Sequence, residues 1–397
     1  MNIAFFTERE CCPTIGGTER TTSLVAGALR DFYGHRIFSI FNKPVESSVK
    51  RFEFEKSICI GLDEPSAGKL AEFITDNDIS LVINQGDFYF CEFFHNVVSQ
   101  RDLSCRQFFV FHFSPGSGEE ALISLKETFK LWKRNKFSSE AIKVILYPLY
   151  YRFATRRFRQ HYRNVEKMAD RIVLLSDSFK SVWMDYAHPG DKGISEVNFE
   201  VIPNALTFDH FASEAEIEAK EHRILIVSRF DERQKKLSKA LRIWKEISQK
   251  EHMKDWHLDI VGDGEDRTLY EKIVKKHKIE RIHFHGRRNP EPFYMRSSLF
   301  MMTSDYEGFG MTIIEASQYG VVPFAFNTYA SLEDILINDV NGYIIEPNDF
   351  SSYESKLIDM ANNPQRRSIV ALNAVKNSRR FALDIIAAQW QNLISNS

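Results

Sequence analysis

Apolar runs of four to six residues recur from end to end of this chain, separated by stretches whose apolar residues fall at helical spacing. That alternation restricts the fold more than any other feature, because short strands joined by helices pair in parallel through right-handed crossovers. Ile3–Thr7, His35–Ile40, Leu81–Asn84, Phe108–Phe111, Ile172–Leu175 and Val201–Pro203 read as a first series of strands, with Glu19–Phe32 as an amphipathic helix after the first. The pattern then restarts. Arg223–Val227, Leu258–Val261, Ile282–Phe284, Leu299–Met302 and Val322–Ala325 read as strands, Lys239–Gln249 and Glu265–His277 as helices between them. The intervening Thr207–Lys220 is polar and acidic without a strand signal, and reads as a linker. The expected fold class is α/β, with two doubly wound domains facing a central cleft at the carboxyl ends of their strands. Residues 1–206 would form the first domain and 207–378 the second, with 379–397 a C-terminal helix packing back towards the first.

Composition narrows the function. Among 397 residues, 52 Lys and Arg balance 54 Asp and Glu, so a chain-wide basic coat for nucleic acid is absent. The five cysteines, at 11, 12, 59, 91 and 105, are odd in number and match neither a metal knuckle nor a redox pair, which suits reduced thiols. The opening Met-Asn-Ile-Ala-Phe-Phe-Thr-Glu-Arg-Glu lacks a basic region followed by a long apolar one, so no signal peptide is expected. No run of about 18 apolar residues occurs, and a soluble, cytoplasmic protein is expected. One segment departs from the average. Between Lys126 and Lys167, twelve Lys and Arg face three Asp and Glu, interleaved with Trp132, Phe137, Tyr147, Tyr150, Tyr151 and Phe158. That mixture suits peripheral contact with an anionic membrane surface, and equally a solvated helical pair whose rings are core.

Four clusters could carry chemistry. Tyr306 to Ala316 follows a strand and precedes a helix, with Gly308 and Gly310 in the turn, an arrangement that presents unpaired N–H groups to an anion. Within it Glu307 and Glu315 stand eight apart, although Thr312 and Glu315 also spell a helix capping box. Arg229, just past a strand, and Lys235 six positions on suit a diphosphate, or are ordinary loop charges. Gly16-Gly17 opens the first helix of a doubly wound sheet and can offer N–H groups there. His112 follows a strand and precedes Ser114-Pro115-Gly116, as a site residue or a structural histidine. The turn Gly262-Asp263-Gly264 lacks G-x-G-x-x-G and speaks poorly for a dinucleotide.

Taken in order, these features resemble one family over almost the whole chain. The match runs from P-x-x-G-G-x-E at Pro13–Glu19 through His112 ahead of Pro115, Ala169–Ser176 and Val201–Asn204. It continues with Ser228–Asp231 and Gln234-Lys235, Ile260–Gly264 and His285-Gly286, and closes with Glu307-Gly308-Phe309-Gly310 through Glu315-Ala316. The chain is similar to the family 4 retaining glycosyltransferases of the GT-B fold, two Rossmann-like domains, whose E-x7-E signature is the last motif. Departures are Lys236, where that family often has glycine, and the basic aromatic insertion.

The resemblance implies a hexose-type transfer from a nucleoside diphosphate sugar to a saccharide or lipid-linked acceptor, in cell-surface polysaccharide synthesis. It implies that Glu315 receives the ribose hydroxyls, while Glu307 and the backbone of Gly308, Phe309, Gly310, Met311 and Thr312 grip the sugar. Arg229 and Lys235 would neutralise the diphosphate, Gly16 and Gly17 approach it from the first domain, and His112 contact the sugar near the reacting carbon. His112, Arg229, Lys235 and Glu307 are thus the expected catalytic set. The fold implies no metal and no cofactor besides the donor. A nucleotide-sugar epimerase on the same scaffold and a non-catalytic sugar-nucleotide sensor are the competing readings.

Overall fold

The computed structural model describes residues 1–14, 16–46, 49–135, 138–191 and 197–397. The chain divides into two compact units, Met1–Pro203 with Ala387–Ser397, and Asn204–Ile386.

Among the described residues, the first unit holds seven strands: β1 (Asn2–Arg9), β2 (Arg36–Lys43), β3 (Ser57–Cys59), β4 (Leu81–Asn84), β5 (Arg106–Phe111), β6 (Arg171–Leu174) and β7 (Phe199–Val201). All pair in parallel, in the order β3-β2-β1-β4-β5-β6-β7. Chain order reverses between β1 and β4, so the carboxyl ends of these two strands flank the crevice where ligands of doubly wound sheets bind. Aromatic side chains fill the sheet's face: Phe6 stacks on Phe90 at 3.5 Å between centroids, within a cluster that includes Phe38, Ile40, Leu70, Val82 and Phe94. The seventh strand ends at Val201 and excludes Pro203, which has no N–H to give a ladder.

The second unit holds β8 (Glu221–Val227), β9 (His257–Val261), β10 (Ile282–Phe284), β11 (Ser297–Met302), β12 (Val322–Phe326) and β13 (Tyr343–Ile345). They form a second parallel sheet in the order β10-β9-β8-β11-β12-β13, reversing between β8 and β11. Ile224, Ile226, Leu258, Ile260, Leu299 and Met301 alternate into one core with Leu241, Trp244 and Tyr353. Leu225 and Phe300, on the opposite face, are equally buried, as parallel sheets require.

The expected linker is instead part of this unit. Glu214–Glu218 is a helix closed by a capping box between Ser213 and Glu216, and Ala212 and Ile217 join the second core. The acidic residues that suggested a solvated tether are the favourable charges of that helix's first turn. The basic aromatic segment folds as helices Leu125–Asn135, Ser138–Ile145 and Tyr147–Met168, with Phe137 outside the described residues. Among the described residues, no helix is long and apolar enough to cross a membrane.

Candidate functional site

In the second unit the site residues cluster at the reversal between β8 and β11. The chain leaves β8 along Ser228–Phe230, and the exit loop of β9 lies directly on it: Ser228 N–H donates to the Val261 carbonyl at 3.0 Å and Phe230 N–H to that of Asp263 at 2.9 Å. This packing accounts for the glycines after β9. A Cβ at Gly262, whose φ is +144°, would sit 1.8 Å from the Ser228 carbonyl oxygen, and one at Gly264 2.4 Å from that of Phe230. The glycines therefore shape the Arg229 loop.

That loop is also fastened to the exit of β11. Asp305 N–H donates to the Gln234 carbonyl at 2.8 Å, and the Thr303 hydroxyl to those of Lys235 and Lys236 at 3.3 and 3.1 Å. Lys235 Nζ consequently meets both carboxylate oxygens of buried Glu307, at 2.7 and 2.8 Å. The Ser304 hydroxyl donates to the same carboxylate at 2.6 Å. Gln234, whose side chain the sequence reading gave no role, joins the cluster: Oε1 accepts from Arg229 at 3.0 Å, and Nε2 donates to the Tyr306 carbonyl at 3.1 Å. Arg229 keeps 63 % of its side chain exposed and touches Asp231 only at 3.4 Å. Two cations thus sit together, one held by a buried carboxylate and one hydrogen-bonded to Gln234 with most of its side chain exposed. Lys236 adopts a φ of +48°, a left-handed conformation that glycine holds at lower cost, and its ammonium lies 3.2 Å from Asp305.

The glycine turn then starts helix Met311–Gln318. Gly310 is its N-cap in left-handed conformation, φ +88°, and no side chain caps the first turn, leaving N–H groups of Met311 and Thr312 at the positive helix end. Phe309 is core, edge-on to Phe381 at 5.5 Å, and the Gly308 carbonyl accepts from Ser331 at 3.3 Å. The capping-box reading of Thr312 and Glu315 fails, because Thr312 already lies inside the helix. Glu315 is 2 % exposed and accepts from the Thr207 hydroxyl at 2.8 Å and the Tyr294 hydroxyl at 3.0 Å. The structure therefore brings Arg229, Lys235 and Glu307 into one cluster and gives Glu315 separate partners. Nothing in the sequence around Thr207 or Tyr294 marked them.

In the first unit, Gln85 follows β4 and His112 follows β5, neighbouring strands beside the reversal. Gln85 N–H is tied to the Phe6 carbonyl of β1 at 3.0 Å, and Oε1 meets His112 Nε2 at 2.6 Å. An amide oxygen only accepts, so Nε2 carries the proton and Nδ1 remains an acceptor. Burial lowers the His112 pKa to about 4, keeping the ring neutral near pH 7. The following loop is anchored by the third insertion helix: Gly116 N–H donates to the Tyr162 hydroxyl at 3.0 Å, which donates to Glu119 at 2.8 Å. Gly16 caps helix Gly17–Tyr33 in an extended conformation, and a Cβ at Gly17 would meet nothing within 4 Å. Among the described residues, no three His, Cys, Asp or Glu side chains converge as a metal site.

Residues 208–377 match the family described as glycosyl transferases group 1. Over 234 residues the chain is 28 % identical to the amylovoran biosynthesis glycosyltransferase AmsD of Erwinia amylovora, covering 57 % of this chain and 63 % of that protein, just under two thirds of its length. The HepE structure from Anabaena, in complex with UDP, superposes over 100 % of both chains with a TM-score of 0.72 at 15 % identity. The lipopolysaccharide outer core galactosyltransferase WaaB, in its apo form, superposes over 100 % of this chain and 99 % of that one with a TM-score of 0.66 at 18 % identity. The structures share the GT-B fold of two parallel-sheet α/β domains. The second unit thus carries the group 1 glycosyl transferase match over residues 208–377, and the fold throughout the chain is that of the GT-B structures.

Proposed function

We propose that this protein is a retaining hexosyltransferase, moving a sugar from a nucleoside diphosphate to a saccharide or lipid-linked acceptor of cell-surface polysaccharide synthesis. The observation that carries the reading is the Arg229–Gln234–Lys235–Glu307 cluster at the reversal of the second sheet, inside the segment matched to the family. As the bond between the anomeric carbon and the diphosphate breaks, negative charge grows on the leaving oxygen. A guanidinium and an ammonium held beside that position stabilise it in advance. The acceptor hydroxyl oxygen bonds to the same face of the anomeric carbon, and its proton passes to the leaving phosphate. Glu307 grips the sugar with the backbone of Gly308–Thr312, and Glu315, held by the Thr207 and Tyr294 hydroxyls, receives the ribose hydroxyls. Neutral His112 gives Nδ1 to a donor-sugar hydroxyl, and Gly16-Gly17 supplies N–H groups to the diphosphate. The setting is the cytoplasm, at the inner face of the membrane when the acceptor is lipid-linked.

The test is turnover with a panel of nucleoside diphosphate hexoses and saccharide acceptors, with the anomeric configuration of the product read by proton NMR. The expected product keeps the donor's configuration and forms undiminished in chelator. Inversion, or activity lost in chelator and restored by a divalent ion, overturns the mechanism. Isomerised donor without transfer would instead make the protein an epimerase, and donor binding without any product a sensor.

A further inference from the structure

The insertion's third helix, Tyr147–Met168, has one face built into the first unit and one left bare. Thr155, Tyr162 and Val165 are buried. Leu149, Arg152, Phe153, Arg156 and Arg157, at helical spacing on the other side, are exposed. The bare face is apolar at its start and cationic further on. Leu149 is 65 % exposed and Phe153 71 %, and the preceding helix and turn add Ile142 at 56 % and Ile145 at 76 %. Scattered exposed apolar residues are ordinary, but four large ones exposed by more than half between residues 142 and 153 are not. Residues 141–165 carry six Lys and Arg and no Asp or Glu.

We propose that this face docks on an anionic lipid surface, with Ile142, Ile145, Leu149 and Phe153 inserted below the headgroups and Arg152, Arg156 and Arg157 on lipid phosphates. Charge decides the occupant. A second copy of the chain packed two-fold on this face would set the same cations against each other, whereas an anionic bilayer supplies both the missing negative charge and an apolar layer beneath it. Long arginine side chains lie along such a boundary with their stems in the apolar layer. Arg157 also reaches the Tyr89 hydroxyl at 3.4 Å, an exposed contact it can exchange for a phosphate, and two further arginines of the helix do not take part. Arg159 is turned onto the Tyr186 ring at 5.7 Å, and Arg163 donates to the Ala187 carbonyl at 2.9 Å. The inference deepens the transferase reading, on which its biological sense rests, by naming the surface that brings a lipid-linked acceptor, and its test needs no turnover.

The full chain is floated with phosphatidylcholine vesicles, with and without phosphatidylglycerol, at low and high salt. The chain is expected to float only with the anionic vesicles, and less at high salt. The variant with Arg152→Gln, Arg156→Gln and Arg157→Gln is expected to bind about a hundredfold more weakly, roughly fivefold per cation removed. The variant with Ile145→Ser, Leu149→Ser and Phe153→Ser is expected to lose the binding that survives high salt. Both change exposed side chains, and unaltered circular dichroism with the melting temperature of the parent checks the fold. Absence of flotation, equal binding to both vesicles, or variants that float like the parent overturns the proposal. So does a dimer in sedimentation that the serine variant dissociates, which would assign the face to a second copy.

Discussion

Arg229 and Lys235 carry the same charge in different circumstances, and a substitution separates them. Lys235 spans both oxygens of buried Glu307, so its removal strands a carboxylate in the interior. Arg229 is mostly exposed, and its pair with Asp231 is of the kind that contributes less than about 1 kcal/mol to stability. Arg229→Ala is therefore expected to leave the melting temperature almost unmoved while cutting turnover at least tenfold, through loss of a charge-assisted contact of about 1.5–3 kcal/mol to the departing diphosphate. Steady-state kinetics and a thermal melt of the same preparation check both halves, and full turnover would remove Arg229 from the site. The two cations were legible in the sequence because they lie just past a strand in a chain poor in other punctuation. Gln234 was not, since an uncharged amide has no period or charge to announce it, and its bridging role depends on the contact between two loops 72 residues apart. Thr312 and Glu315 show the reverse: a true capping pattern in sequence, set aside because Gly310 had already taken the N-cap.

At the scale of elements, strands of four or more residues were legible, since an apolar run bounded by turn residues is a local signal. Of the three-residue strands, β10 was legible and β3 was not, because Ser57-Ile58-Cys59 is largely exposed with no apolar run to read and its register comes from β2 alone; β13, Tyr343–Ile345, carries an apolar run that was passed over. Segment Thr207–Lys220 was misread because one buried isoleucine and one alanine anchor it, too few to show a period. Glycines were the least legible element of all, since only neighbours reveal why each is there. Gly262 and Gly34 both hold positive φ, +144° and +67°, but a Cβ at Gly34 meets nothing within 4 Å while one at Gly262 overlaps the Ser228 carbonyl. Gly34→Ala is expected to cost about 1 kcal/mol, the conformational term alone. Gly262→Ala must also push the Arg229 loop aside, and about 3 kcal/mol with a parallel loss of turnover is expected. Urea unfolding of the two variants measures the difference; equal costs would show that the loop contact carries no energy.

At the scale of the whole molecule, the chain's path divides the labour unevenly. Arg229, Lys235, Glu307 and Glu315 all lie in Asn204–Ile386, but the chain does not finish there, since Ala387–Ser397 belongs to the first unit. This last stretch buries Trp390, Leu393 and Ile394, and Gln391 meets His35 at 2.6 Å. Three large apolar side chains at about 1.5–3 kcal/mol each make the stretch worth roughly 5 kcal/mol to the first unit, a large share of what a domain has to spare. Deleting residues 387–397 is therefore expected to lower the first unit's melting temperature by about 10–20 °C. The second unit keeps its own sheet, core and charged cluster, so under the proposed reading a nucleoside diphosphate, with UDP as the probe, should still stabilise it by about 2.7 kcal/mol at 100 times its dissociation constant. Scanning calorimetry of the parent and the truncated chain, each with and without UDP, reads both effects at once. A truncated chain that melts like the parent would show that the final helix adds nothing to the first unit. One that loses its response to UDP would show that nucleotide binding depends on more of the chain than the second unit holds.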